Sequence, residues 1–353
     1  MNRVLSALLL ILLLAGCAAS ARSPALNSPA GPYDPAQGWI ETAPERQGMD
    51  PNLLEVMRSA VKQRGLNLDS LLVVRSGAIV FEEYYGSERQ TSRHVMYSVT
   101  KSFTSTLLGI ALDQGLLSGT DARVLDLLAD DLPADADNPA KLDMTVEHLL
   151  TMTTGFAWVE GDPAYRAMYT SPNLVGYMLN LPMDAQPGSE FNYCSGCSHV
   201  LMAVVAQQVG MDADAFAKKY LFEPLGIRDY SWETDAQGIL IGGWGLHITA
   251  RDMAKFGYLF LHEGQWDGKQ IVSAEWVKAA TSRQVDESGR LDYGYQWWID
   301  ESHGAFAALG RGGQMIYVVP ALDLIVVTTA DMNGNHDPLL ALVDEFIIPA
   351  VVD

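Results

Sequence analysis

Hydrophobic spacing divides the chain into strand-rich ends and a helical middle. Between Pro51 and Arg64, Leu53, Leu54, Val56, Met57, Ala60 and Val61 recur at the spacing of one helix face. Asp50 stands at the N-cap and Pro51 at the first helical position, both favoured at a helix start. Two apolar runs, Leu71-Leu72-Val73-Val74 and Ile79-Val80-Phe81, flank Arg75-Ser76-Gly77 and predict a hairpin. Met96 to Gln114 is a long helical pattern closed by Gly115. Further helices are predicted over Val146–Thr151, Asn173–Leu181, His199–Val209, Ala213–Tyr220, Ala250–Leu261 and Ala274–Thr281. Strand character returns at Gly294–Ile299, Gln314–Val319 and Leu322–Thr329, with a turn at Pro320-Ala321, and Pro338–Val351 reads as a closing helix.

Strands at both ends with helices between them predict an α+β molecule. The economical packing is one antiparallel sheet built from both termini, flanked by the terminal helices, with a mainly helical second lobe. The sheet lobe is expected over about 46–95 and 286–353, and the helical lobe over about 96–285. A composition of 48% hydrophobic and 19% charged residues is that of a globular protein and argues against a disordered one. The net charge of −20 and the lack of a basic stretch argue against a nucleic-acid partner.

Residues 1–17 stand apart from this pattern. Arg3 gives a positive start, Val4 to Leu14 an apolar core too short to span a bilayer as a helix, and Leu14-Ala15-Gly16-Cys17 a small-residue ending. That ending resembles a bacterial lipobox, in which the cysteine becomes the lipidated N-terminus. Residues 1–16 are therefore expected to be a signal peptide, and 17–45 a linker from Cys17 to a hydrolase domain over 46–350. Ser20 to Gln37, rich in Ser, Pro, Gly and Ala, suits a tether. Ala18, in place of an aspartate, points to the periplasmic face of the outer membrane, and the membrane is thus an expected partner through the lipid.

Three short stretches carry candidate chemistry. In Ser98-Val99-Thr100-Lys101, helical spacing puts hydroxyl and amine on one face. A neutral lysine can take the serine proton if burial or a nearby positive field lowers its pKa, and a helix N-terminus assists by disfavouring the ammonium. In Phe191-Asn192-Tyr193-Cys194-Ser195, the phenol can relay protons if a cation such as Lys101 lies near. In Gly310-Arg311-Gly312-Gly313-Gln314, glycines permit close approach of a ligand, and an edge strand opening there can aim an amide at a developing oxyanion.

In this order the three stretches resemble the serine hydrolases of the β-lactamase, penicillin-recognising family. Glu147-His148-Leu149-Leu150-Thr151-Met152-Thr153-Thr154-Gly155, Gly242-Gly243-Trp244-Gly245-Leu246 and Tyr293-Gly294-Tyr295-Gln296-Trp297-Trp298 look like the same family, as does Thr249 to Gly257. The resemblance spans about 45–350 and is nearest to the class C-like esterase and 6-aminohexanoate-dimer hydrolase branch. It implies a β-lactamase-like fold, an acyl-enzyme on Ser98, and general acid–base work shared by Lys101 and Tyr193. It also implies an oxyanion hole from the amides of Ser98 and Gln314, beside Gly313, with ester, amide or peptide substrates and neither metal nor cofactor. Ser195 stands where the family has Asn, and Arg311 where it has Lys or His. Arg311 can fork to a carboxylate or turn away. These departures weaken a true β-lactamase or DD-peptidase reading more than a general hydrolase reading. They also motivate the alternative of a non-catalytic protein that recognises peptidoglycan or peptide.

Other chemistries fit less well. No Gly-x-Ser-x-Gly or His-Glu-x-x-His occurs, and Asp331 to Asp337 lacks the glycine and glutamate of a calcium loop. His148 and His247 are expected to be packed or hydrogen-bonded. Cys194 and Cys197 allow either a disulfide or two buried thiols. Trp158, Trp244, Trp297 and Trp298 are candidate pocket walls, with one of the adjacent pair expected in the core.

Overall fold

A computed structural model describes residues 33–352, apart from 162, 288 and 335. The expected signal peptide, Cys17 and the first part of the linker lie outside the described residues. The fold is α+β, as expected. Its central sheet has eight strands: Ile40–Glu41 (β1), Leu68–Arg75 (β2), Ala78–Tyr84 (β3), Asp292–Tyr293 (β4), Trp298–Asp300 (β5), Ala305–Gly310 (β6), Gln314–Val319 (β7) and Leu324–Ala330 (β8). Their order across the sheet is β1-β3-β2-β8-β7-β6-β5-β4. Only β1 with β3 is a parallel pair. The β2–β8 ladder, with Val73 opposite Val326, joins the two ends of the chain.

The central strands are apolar on both faces because both faces are covered. Leu72, Val74, Ile316, Val318, Ile325 and Val327 face the helical lobe, while Leu71, Val73, Met315, Tyr317, Leu324 and Val326 face the terminal helices. The helices that matter for the site and the sheet are Pro51–Gln63 (α1), Thr100–Asp113 (α2), Ser195–Gln208 (α3), Ala250–Leu261 (α4) and Asp337–Leu342 (α5). Asp50 accepts from Asn52 N at the start of α1, as its N-cap position predicts. In α4, a Cβ on Gly257 would lie 2.9 Å from methyls of Ile316 and Ile325, so glycine sets how closely this helix rides on the sheet.

Several boundaries differ from expectation for local reasons. The helix expected from Met96 begins as a 3-10 turn over Tyr97–Val99 before α2. The helix expected from His199 begins at Ser195, because Cys194 caps it: its Sγ accepts from Cys197 N at 3.0 Å. Cys194 and Cys197 are joined as a disulfide, which decides between the two readings. The closing helix is α-helical only to Leu342 and widens into a π turn over Val343–Ile347.

Gly294–Trp297 is a turn between β4 and β5, not a strand. Gln296 sits there at φ +64°, with its amide nitrogen donating to the carbonyls of Leu149 and Leu150. Ser102 of α2 donates to its backbone oxygen and Ser198 of α3 to its side-chain oxygen. These tertiary bonds override the strand propensity of the flanking aromatics. Strand β6, Ala305–Gly310, was not visible in the sequence, since a run of small residues has little strand signal of its own; neighbours on both sides make it a strand.

Candidate active site

Ser98 lies at the tip of the 3-10 turn that leads into α2. The residue before it, Tyr97, has φ +45°, a left-handed conformation that a non-glycine residue holds only when its surroundings enforce it. One turn on, Lys101 is almost wholly buried, at 1% exposure. Its ammonium has three donors and meets three acceptors: Ser98 Oγ at 3.0 Å, Ser195 Oγ at 2.9 Å and Gly243 O at 2.8 Å. Burial pulls the Lys101 pKa down to about 8, against the opposing charge of Glu160.

Gly243 can reach Lys101 because it and Gly242 lack side chains. A Cβ on Gly242 would stand 2.2 Å from Ser198 O, and one on Gly243 2.5 Å from Ser195 O. The Gly242-Gly243 pair is thus explained by the close pass of this segment over the first turn of α3.

Tyr193 arrives from the residue before the cap of α3. Its ring centre is 5.0 Å from Lys101 Nζ, and its hydroxyl stands close enough to Ser98 for that side chain to lower the phenol pKa. Burial pushes the phenol well above its ordinary pKa, and Ser98 only partly offsets this, so Tyr193 is held neutral. Trp298 stacks on it at 5.8 Å between ring centres, with Tyr293 edge-on at 6.3 Å. Ser98, Lys101 and Tyr193 therefore meet in one cleft. Of the paired tryptophans, Trp298 borders this cleft, while Trp297 is fully buried against Phe256 and Phe260.

The third stretch sits differently from expectation. Gly310 to Gln314 is the hairpin turn from β6 to β7, not the opening of an edge strand. Strand β5 pairs only with Ala305–Ala307, so the last residues of β6 extend past their neighbour on that side. The Ser98 turn packs against this overhang: a Cβ on Gly310 would lie 2.3 Å from Met96 O and 3.2 Å from Val99 N. Leu309 and Arg311 line the cleft. Gln314 and Gly313 do not. The Gln314 side chain donates to Ala330 O at 2.6 Å, and Gly313 faces Ala330 and Leu339. The ladder register decides this, because Gln314 is the cross-strand partner of Gly310 and its backbone belongs to the hairpin. The Arg311 guanidinium is exposed and lies 5.9 Å over the Tyr97 ring.

Two residues at the site escaped the sequence reading. Glu160, in an irregular segment without a motif, accepts from Ser195 Oγ, from Ser195 N at 3.0 Å and from Trp158 Nε1 at 2.9 Å. Ser195 is thus tied between Lys101 and Glu160. His336 lines the cleft, and its Nε2 donates to Gly310 O at 2.9 Å. Burial lowers its pKa, with the Gly310 and Gln314 carbonyls opposing. No local pattern signalled either residue; both reach the site through loops.

The cleft opens on both sides of Ser98. One side, about 380 Å³, is walled by Tyr165, Tyr193, Trp298 and Leu309. The other, about 750 Å³, has Arg166, Tyr169, Trp244 and His247. His247 is paired with Glu233 at 3.1 Å, and His148 accepts from Thr145 N, so both histidines are hydrogen-bonded as expected. Among the described residues, no group of three His, Cys, Asp or Glu side chains is arranged to hold a metal.

The sheet order, the two lobes and the cleft between them define a β-lactamase-like architecture. The Beta-lactamase family model matches residues 53–344, and the chain belongs to that family. It is 27% identical over 291 residues to the 6-aminohexanoate-dimer hydrolase of Paenarthrobacter ureafaciens, covering 73% of this chain and 71% of that one. A lovastatin esterase of Penicillium rubens is 32% identical over 152 residues, 37% of each chain. Among solved structures, a family VIII carboxylesterase superposes with a TM-score of 0.70 at 17% identity, covering 85% of this chain and 98% of that one. EstCE1, a hydrolase with promiscuous acyltransferase activity, superposes with a TM-score of 0.70 at 18% identity over 83% and 97%. The proteins this chain is similar to thus include esterases and a 6-aminohexanoate-dimer hydrolase.

Proposed function

We propose that the protein is a serine hydrolase that cleaves ester or amide bonds through an acyl-enzyme on Ser98. The observation that carries this reading is the convergence of the Lys101 amine and the Tyr193 hydroxyl on one serine oxygen. Ser98 Oγ attacks the substrate carbonyl and gives its proton to the Lys101–Tyr193 pair. Tyr193 protonates the departing alcohol or amine, and water then releases the acyl group by the reverse traffic. Ser98 and Arg311 both border the cleft, where the Ser98 turn meets the end of β6. We assign the oxyanion to their two backbone amides in place of Gln314. His336 holds the carbonyl of the same Gly310–Arg311 peptide, which fixes the plane of that N–H.

Arg311 remains available to an anionic substrate group at the cleft mouth. Ser195, whose departure from the family pattern motivated a binding-only reading, is engaged by Lys101, and this favours a working site over a relic. We further infer that the domain is exported and tethered by lipid at Cys17.

The test is a fluorophosphonate probe. Wild type is expected to be labelled and Ser98→Ala not; equal labelling of both rejects the assignment. A screen of short aryl esters, linear amides and a chromogenic lactam against the same variant then ranks the substrate classes.

A further inference from the structure

We propose that Glu160 is a positioning residue that governs the proton on Lys101 through the hydroxyl of Ser195. The inference rests on the acyl-enzyme reading and adds to it the route by which the base is made ready.

The three acceptors around Lys101 match the three protons of an ammonium. A general base needs a lone pair facing Ser98 instead, so one proton must leave. Gly243 O cannot pass a proton on, and Ser98 is the nucleophile itself. Ser195 Oγ can, because it accepts from Lys101 and already donates to Glu160. The transfer balances in one concerted shift. An N–H proton moves from Lys101 to Ser195 Oγ, and the hydroxyl proton of Ser195 moves to the Glu160 carboxylate. Ammonium and carboxylate become amine and carboxylic acid, Ser195 ends with one O–H as it began, and a turn of the amine about its Cε–Nζ bond brings the new lone pair from Ser195 to Ser98. Glu160, exposed at the rim, then returns the proton to water.

Its carboxylate is held for this task. Oε2 takes Ser195 N and Trp158 Nε1, which leaves Oε1 for the Ser195 hydroxyl. An amide at this position has one acceptor oxygen. The two N–H donors claim it, and the amide NH₂ then faces Ser195 as a donor. Ser195 turns its own proton toward Lys101 and favours the neutral amine. Loss of the negative charge acts in the same direction.

Other titratable groups surround the pair. They are Tyr193 ahead of α3, Tyr293 on β4, Tyr165 in the helix Pro163–Tyr169 and Arg311 in the β6–β7 turn. His336 and the His247–Glu233 pair line the same cleft. Burial holds the three tyrosines neutral, and His247 is tested by substitution.

The experiment is the pH profile of kcat/KM for an aryl ester in wild type, Glu160→Gln, Ser195→Ala and the double variant, repeated for Glu160→Gln with His247→Gln. Glu160→Gln is expected to move the low-pH limb to lower pH by about half a unit or more, with or without His247. The shift should be clearly smaller when Glu160→Gln is made on Ser195→Ala, where only the through-space charge is left. An unmoved limb in a variant that keeps wild-type thermal stability and probe labelling overturns the proposal. So does an equal shift without the Ser195 hydroxyl, which would leave only a through-space charge. If Glu160→Gln folds poorly, Glu160→Asp is read instead, since it withdraws the carboxylate from Ser195: a limb moved to lower pH supports the relay, and an unmoved one overturns it. Labelling of Ser98→Ala would reject the acyl-enzyme reading whatever the limb does, so the two failures are distinguishable.

Discussion

A lysine whose pKa is about 8 is neutral in only about one molecule in ten at pH 7. If the neutral amine is the base, kcat/KM should climb roughly tenfold per pH unit until it levels near pH 8. A profile flat from pH 6 to 9 would remove Lys101 from that role. Lys101→Ala and Tyr193→Phe should each lower kcat/KM by about 100-fold or more, while the thermal midpoint changes little. The same burial affects stability. The folded pKa of Lys101 lies below its unfolded value of 10.5, so the unfolded chain binds more protons between the two. The cost of burying the charge is present in full below pH 8 and fades as pH rises toward 10.5.

At the scale of elements, the site depends on how a turn meets a strand. Strand β6 overhangs β5, and the Ser98 turn packs against the overhang at Gly310. A methyl group there cannot fit 2.3 Å from Met96 O without moving the turn. Gly310→Ala is therefore expected to slow probe labelling on the order of 100-fold, a typical penalty for an ångström of misplacement, in a protein that still folds. Gly257 makes the contrast. It presses α4 onto Ile316 and Ile325 and is not among the residues lining the cleft, so Gly257→Ala should cost about 1–3 kcal/mol in denaturant titration and leave kcat unchanged. The disulfide works at this scale too, since Cys194 and Cys197 bracket the first turn of α3, which presents Ser195 beside Tyr193.

The whole molecule brings residues from both lobes to one cleft. Ser98 and Lys101 lie at the start of α2, Tyr193 and Ser195 come from the helical lobe, and Leu309 and Arg311 come from the late strands. The proposed lipid anchor at Cys17 would place this cleft beside a membrane. Cys17→Ser is expected to move the protein from the membrane to the soluble fraction, with probe labelling intact; continued sedimentation with membranes would refute lipid anchoring at that residue.

Local rules sufficed wherever one element carried its own signal. The Asp50-Pro51 start fixed α1, apolar periodicity fixed α4, and Ser98 and Lys101 were legible because one helical turn brings them together. Tyr193 was legible through its family-like setting, not its spacing. The rest waited for the fold. Glu160 and His336 reach the site on irregular segments, Ser195 acquires its meaning from Lys101 and Glu160, and the third stretch shifts from Gln314 to Leu309 and Arg311 through strand register. A chain's periodicity encodes which face each element buries, whereas the approach of distant backbones, set by glycines such as Gly243 and Gly310, follows only when those faces have packed.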